Sequence, residues 1–318
     1  MSRKSKIKKP TVALVGAGSL ATFLATALHQ AGFTITEILA RDSPQSLQRA
    51  RALARKVGAR AATIRTAELD ASLLWFCVPD REIRRAAATL ADHVLGRVLG
   101  NQRAIPHFAL HSSGALSSRE LHPLRTAGMA VASAHPLMTF VPGARPDLTG
   151  VPFAIEGDAD ATSLARRIVS ELGGESFPLP PARKAAYHAW ATMTSPLLVA
   201  FLTTLEDAAR VAGLSRADAR RKSMPILRQT LSNYAKFGPA KSFSGPLIRG
   251  DAETVARHLT AFKTHPEVRQ VYVTLAQAAL RGLPVKNKDE LEGLLRTESI
   301  HGGANADSPA QRREEPKK

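Results

Sequence analysis

The 318-residue chain has a single cysteine, Cys77, few aromatic residues (5%) and a shortage of acids, with 27 Asp+Glu set against 44 Lys+Arg for a formal net charge of +17. One cysteine cannot close an internal disulfide or build a cysteine-based zinc cluster, so a reducing compartment is expected. No apolar run approaches the roughly 20 residues of a membrane span, and the basic N-terminus has no apolar signal core. These absences predict a cytoplasmic protein with no membrane partner. Hydrophobic residues make up 44% of the chain, enough for a substantial core. The shortage of acids is uneven. Residues 1–10 carry +5, residues 301–318 carry +1 and the body carries +11. In the body the bases Arg49, Arg51, Arg55, Arg60 and Arg65 read as solvated helix faces. With two Trp, three Tyr and eleven Phe, and no basic-aromatic motif, the stacking apparatus of a nucleic-acid binder is missing, and no nucleic-acid partner is expected.

What is present is a strand and helix alternation. Thr11 to Val15 reads as a strand, followed by a glycine turn and a helix ending at Gly32. A second strand spans about Thr34 to Ala40, and Ser43-Pro44 then offers an N-cap with proline at the first helical position. Leu73 to Val78, Phe108 to His111, Met129 to Ala134, Val151 to Ile155 and a short stretch before Pro178 read as further strands. This pattern predicts an α/β fold, a doubly wound parallel sheet. Beyond Ala182 the strand signals stop. Lys184 to Ala212 reads as one long apolar helix, Ser215 starts another with a kink or restart at Pro225, and Asp251 caps a third. The expected organisation is a basic leader over 1–10, a dinucleotide-binding domain over 11–180, an all-helical domain over 181–299 and a disordered tail over 300–318. The apolar first helix of the second domain predicts a homodimer.

Gly16-x-Gly18-x-x-Ala21 has the spacing of the dinucleotide fingerprint and stands where it must, between a strand and a helix. Gly16 permits the tight turn, Gly18 lets backbone approach a pyrophosphate, and Ala21 lets helix pack on strand. Ala17, Ser19 and Leu20 complete the predicted cradle. The second strand ends in Arg41, and a guanidinium suits the 2′-phosphate of NADP, with Ser43 as a hydroxyl donor. Glu37 and Asp42 are the rivals that would favour NAD. Glu37 sits too early in its strand, and Asp42 could brace Arg41, so NADP is the expected cofactor with NAD as the alternative.

Later strand ends should line the same crevice. Val78 and Pro79 would border the nicotinamide. His111-Ser112-Ser113-Gly114 ends one strand and His135-Pro136 the next, bringing polar groups where they are costly unless used. Lys184 and His188, four apart at the head of the long helix, share a face and could polarise a carbonyl and exchange a proton; Tyr187 lies beside them. Ser244-Gly245-Pro246 through Arg249-Gly250-Asp251 offers an anion or subunit contact, with Ser244 and Arg249 as its polar groups. A metal site is not expected, since there is no HExxH and His107 and His111 bracket a strand. A serine hydrolase is not expected either, since Ser113 lacks the G-x-S-x-G elbow.

These motifs resemble a family of Rossmann-like oxidoreductases carrying a C-terminal domain of unknown function, number 2520. That family is related in layout to pyrroline-5-carboxylate reductase, ketopantoate reductase and the 6-phosphogluconate-dehydrogenase-like helical domains. The likeness covers about Val12 to Leu295. It rests on the glycine motif, Arg41, Val78-Pro79-Asp80, His111 to Leu116, His135-Pro136-Leu137, Ile155 to Asp158, Lys184 with Tyr187-His188, and Ser244 through Asp251. Two positions depart from the pattern. Pro196 stands where the family has asparagine, and His188 stands where ketopantoate and β-hydroxyacid relatives have asparagine four residues after the helix lysine.

The residues, read beside the resemblance, give the expectation of an NADP-dependent oxidoreductase that passes a hydride between nicotinamide and a small carbonyl or imine substrate between the two domains. In that expectation Lys184, His188, His111 and Ser113 act on the substrate, Ser112 meets the cofactor, and His135, Tyr187, Ser244 and Arg249 complete the substrate and anion contacts. The competing expectation is a non-catalytic NADP-binding regulatory or scaffold protein.

Overall fold

Strands whose consecutive residues are all apolar must be covered on both faces, and the computed structural model, which describes residues 9–99, 106–144 and 147–303, builds its first unit on that rule. In β1 (Val12–Val15), Val12 and Leu14 face one core while Ala13 and Val15 face the other. The chain continues through α1 (Ser19–Gln30), β2 (Ile35–Ala40), α2 (Pro44–Val57), β3 (Arg60–Thr63), β4 (Leu73–Phe76), α3 (Asp80–Leu99), β5 (Phe108–His111), α4 (His122–Thr126), β6 (Ala130–Pro136), β7 (Pro152–Gly157), α5 (Ala159–Glu171) and β8 (Glu175–Pro178). Helices α1, α2 and α5 cover one face, and α3 and α4 the other. Trp75 of β4 lies fully buried in the first core, and its ring N–H donates to Ser112 Oγ at 2.9 Å.

The eight strands stand in the order β3-β2-β1-β4-β5-β6-β7-β8. The sheet is the expected doubly wound one, with two differences. Strand β3 was not expected. In addition, β7 runs antiparallel to β6, His135 facing Ala154 and Pro136 facing Phe153, and β8 then runs parallel to β7. Parallel neighbours need a long crossover, usually a helix, whereas an antiparallel pair needs none. No helix separates β6 from β7 among the described residues.

The chain divides into two compact units, residues 1–195 and 196–318. The expected boundary at Pro180-Pro181 falls earlier because α6 (Lys184–Thr194) buries Lys184 and Tyr187 in the first unit. The expected single helix from Lys184 to Ala212 is two, α6 and α7 (Pro196–Val211), since Pro196 cannot donate to the preceding turn and Ser195 leaves helical geometry at φ −126°, ψ −72°. The second unit continues with α8 (Arg216–Ser242), α9 (Pro246–Arg249), α10 (Ala252–Ala261), α11 (Pro266–Gly282) and α12 (Lys288–Gly303). Helix α8 runs through Pro225, and its non-helical residue is Gly238. Val255, Leu259, Val273, Leu280, Leu291 and Leu295 form the core of this unit. Residues 1–8 of the expected leader and 304–318 of the expected tail lie outside the described residues. Among the described residues no helix is long and apolar enough to cross a membrane.

Candidate functional site

The carboxyl ends of β1 to β6 lie along one edge of the sheet, where a doubly wound fold receives ligands. Gly16 leaves β1 at φ +121°, and a Cβ there would stand 2.4 Å from the Cys77 carbonyl oxygen, so glycine alone fits. Gly18 is the N-cap of α1 and faces open space. Helix α1 has neither a side-chain cap nor an acid in its first turn, so its leading N–H groups and positive dipole end are available at this edge, together with the backbone of Ala17, Ser19 and Leu20. Ala21 is fully buried in the core with Val12 and Leu14, as the small third residue of the motif must be. Val78 and Pro79 follow β4, and Val78 Cγ1 stands 3.3 Å from where a Gly16 Cβ would lie. This is a cradle that fits a dinucleotide pyrophosphate.

Arg41, just past β2, is exposed, and its side chain has no hydrogen-bond or ion-pair partner among the described residues. Ser43 Oγ accepts the Ser46 N–H at 3.3 Å and caps α2, leaving its own O–H to donate. Glu37 is committed elsewhere. It is 2% exposed and accepts from the Arg60 guanidinium and from the backbone N–H groups of Glu68 and Leu69 at 3.1 and 2.9 Å.

At the other end of the same edge, β5, β6 and α6 converge. His135 Nδ1 and the Tyr187 hydroxyl are 2.9 Å apart, and the His188 ring stands edge-on to that of His135 at 6.2 Å. Both imidazoles press on Gly114. A Cβ there would meet His188 Cδ2 at 2.6 Å and His135 Nε2 at 2.8 Å, which explains glycine at that position. Burial, then the charges of Lys184 and His188, hold the His135 imidazole down at about 4. Burial pushes the Tyr187 phenol up to about 12. At neutral pH the pair therefore carries no net charge, with one proton on the phenol oxygen and one on the imidazole.

Beneath this pair lies a buried polar layer. Lys184 is 1% exposed, and its Nζ donates to the Ser113 carbonyl at 2.9 Å and to Ser133 Oγ at 2.6 Å. Burial lowers it to about 8 while Glu156 and Asp80 act the other way. Ser113 Oγ accepts the N–H groups of Ala115 and Leu116, and its own N–H donates to His111 Nδ1 at 3.1 Å. His111 is fully buried, and its Nε2 finds no partner among the described residues. Burial and the Lys184 charge hold it near 3, against a smaller opposing effect of the Ser117 backbone. Glu156 accepts from Ser118 N–H and Oγ at 2.6 and 2.9 Å.

The structure thus brings His135, Tyr187 and His188 together as expected, but turns Lys184 inward, away from His188. It also buries His111 and Ser113, and gives Ser112 Oγ to the Trp75 N–H. Ser133 and Glu156 were missed. A serine inside the apolar run Ala130-Val-Ala-Ser-Ala was the available signal, because a polar group in a buried strand needs a partner. In the second unit Asp251 caps α10, accepting from Thr254 N–H and Oγ at 3.0 and 2.7 Å, and these bonds lower its carboxyl. Ser244, two residues before the short α9, and Arg249, its last residue, are exposed. Gly250 packs on the Lys286 backbone, which gives the loop a structural role. Among the described residues no three His, Cys, Asp or Glu side chains form a metal-ligating group.

Comparison with known proteins places this arrangement. Among solved structures, a Bacteroides fragilis protein provisionally assigned as an NADP oxidoreductase shares 21% identity at a TM-score of 0.67, over 85% of this chain and 97% of its own. A Thermotoga maritima protein shares 25% identity at a TM-score of 0.64, over 91% and 99%. An imine reductase from Myxococcus stipitatus, solved with NADP+, shares 14% identity at a TM-score of 0.60, over 90% and 100%. A search of curated proteins finds no match. Residues 151–279 match the model of the family described as domain of unknown function (DUF2520), a stretch that begins just before β7 and ends within α11, so it takes in the edge of the sheet as well as helices. The chain has a Rossmann-like fold, and its residues 151–279 are similar to the DUF2520 family.

Proposed function

We propose that the chain is an NADP-dependent reductase of a small carbonyl or imine compound, working at the β5 and β6 end of the strand edge. The observation that carries this reading is the Tyr187 hydroxyl held 2.9 Å from His135 Nδ1 on the same edge as Gly16, Gly18 and Arg41. When bound, the dinucleotide supplies hydride to an electrophilic carbon. The backbone from Gly16 to Ala21 holds the pyrophosphate, Arg41 and Ser43 hold the 2′-phosphate, and Val78 and Pro79 border the nicotinamide ring. Tyr187 donates its hydroxyl proton to the substrate oxygen or nitrogen as the carbon is reduced. His135 returns a proton from Nδ1 to the phenol oxygen and takes one on Nε2. Half-buried His188, beside that nitrogen, connects it to solvent. Lys184, Ser133 and Ser113 fix the loop and helix that carry these groups. The NADP-bound Myxococcus stipitatus imine reductase of like fold supports the cofactor and the imine class.

A second reading, a non-catalytic NADP-binding regulator or scaffold, is favoured by the burial of Lys184, His111 and Ser113. Nicotinamide absorbance followed with NADPH and a panel of small keto acids and cyclic imines separates the two. Turnover of any member supports the reductase, and tight NADPH binding with no turnover across the panel gives the regulator. We further propose a homodimer built on α7, whose Leu197, Leu198 and Val199 are exposed; sedimentation at the monomer mass removes it.

A further inference from the structure

We infer that Arg65 is a second anchor for the 2′-phosphate of the dinucleotide, acting with Arg41 as a two-arginine clamp; this rests on the cofactor reading above. The basis is strand β3, which places Arg65 at a position no helix face would give it. Ala40 of β2 pairs with Thr63 of β3, so Arg41 lies one residue past the end of one strand and Arg65 two residues past the end of its neighbour. Adjacent strands lie about 4.8 Å apart, within the span that two arginine side chains can close around one phosphate. Arg65 sits in the middle of the 3-10 turn Ile64–Thr66 and is exposed, and its side chain, like that of Arg41, has no hydrogen-bond or ion-pair partner among the described residues.

The turn is held in place before any ligand arrives. Thr66 Oγ accepts the Thr63 N–H at 3.1 Å, and the two hydroxyls are 3.0 Å apart. Arg60 donates to the Thr66 carbonyl at 3.1 Å. The following residues are pinned by Glu37, which accepts the N–H groups of Glu68 and Leu69. The carboxylate that would favour NAD at a ribose hydroxyl instead fixes the loop carrying Arg65. Of the nearby acids, Glu37 and Glu68 both turn to Arg60, so among the described residues Asp42 alone is left without a partner beside the two guanidiniums. A guanidinium binds a phosphomonoester through paired N–H groups, and two of them suit its roughly two negative charges near neutral pH.

The test is equilibrium binding of NADPH, NADH and 2′-AMP to the full chain and to Arg65→Ala, Arg65→Lys and Arg41→Ala, with no turnover required. Loss of one charge-assisted anchor should weaken NADPH and 2′-AMP by about 10- to 100-fold in Arg65→Ala, with NADH changed less than about twofold and Arg65→Lys intermediate. Equal losses for NADPH and NADH, or no loss for either, overturn the clamp while leaving the cofactor reading intact. A wild-type chain that binds neither dinucleotide overturns the cofactor reading and the clamp together.

Discussion

The two ends of the strand edge treat charge in opposite ways. At the β2 and β3 end, the Arg41 and Arg65 side chains stand exposed and, among the described residues, unpartnered, while nearby Glu37 is buried and fully used. At the β5 and β6 end, Lys184 is buried, and the two histidines packed near it are held neutral. The contrast follows from what each end handles. A ligand that arrives with its own charge is best met by fixed opposite charge, whereas a proton is best moved between groups that are neutral at rest, because burying an ion is costly. The difference also separates affinity from rate. The first end should govern binding, and the second should govern turnover.

The largest break in that comparison should come from Tyr187→Phe, which keeps the ring and removes the hydroxyl. Turnover should fall about 10²- to 10⁴-fold while NADPH affinity stays within about twofold; stopped-flow kinetics beside a binding isotherm reads both. An equal loss of affinity would return Tyr187 to a packing role. A smaller effect is expected from Lys184→Met. The Lys184 charge lowers His135, whose folded value is about 4 against an ordinary 6.5. Removing that charge raises it, while burial, the larger cause, remains. The acid limb of kcat/KM should therefore move up by up to about one pH unit and stay below 6.5, and Lys184→Arg should hold it near its original place. A drop in kcat with an unmoved limb would make Lys184 a purely structural latch.

Much of this fold was legible. The glycine motif, the apolar strands and the polar residues at their ends all fell where the sequence placed them, because burial on both faces leaves an unmistakable apolar run. Strand β3 was not legible. Its Arg-Ala-Ala-Thr is small and half exposed, carrying neither an apolar run nor a clean alternation. Losing that strand also misplaced Arg65, which then looked like one more solvated helix charge. The direction of β7 was equally hidden, since side-chain periodicity is the same whichever way a strand runs. For Lys184 the spacing to His188 gave a shared helix face, but spacing does not say how far each side chain turns toward the sheet. The break at Pro196 was readable from proline chemistry, and the apolar residues on both sides masked it.

The reversal of β7 has a consequence for access. Because β7 and β8 both run away from the ligand edge, the chain leaves β8 on the far side of the sheet. Helix α6 then reaches back to β5 and β6 with one face, on which Lys184 bonds Ser113 and Ser133 and Tyr187 meets His135. On that face Lys184 and Tyr187 are buried and His188 is half-buried, while Ala185 and Ala186 between them are exposed. One face of α6 thus carries both a buried group that holds the scaffold, Lys184, and a half-buried group open to water, His188.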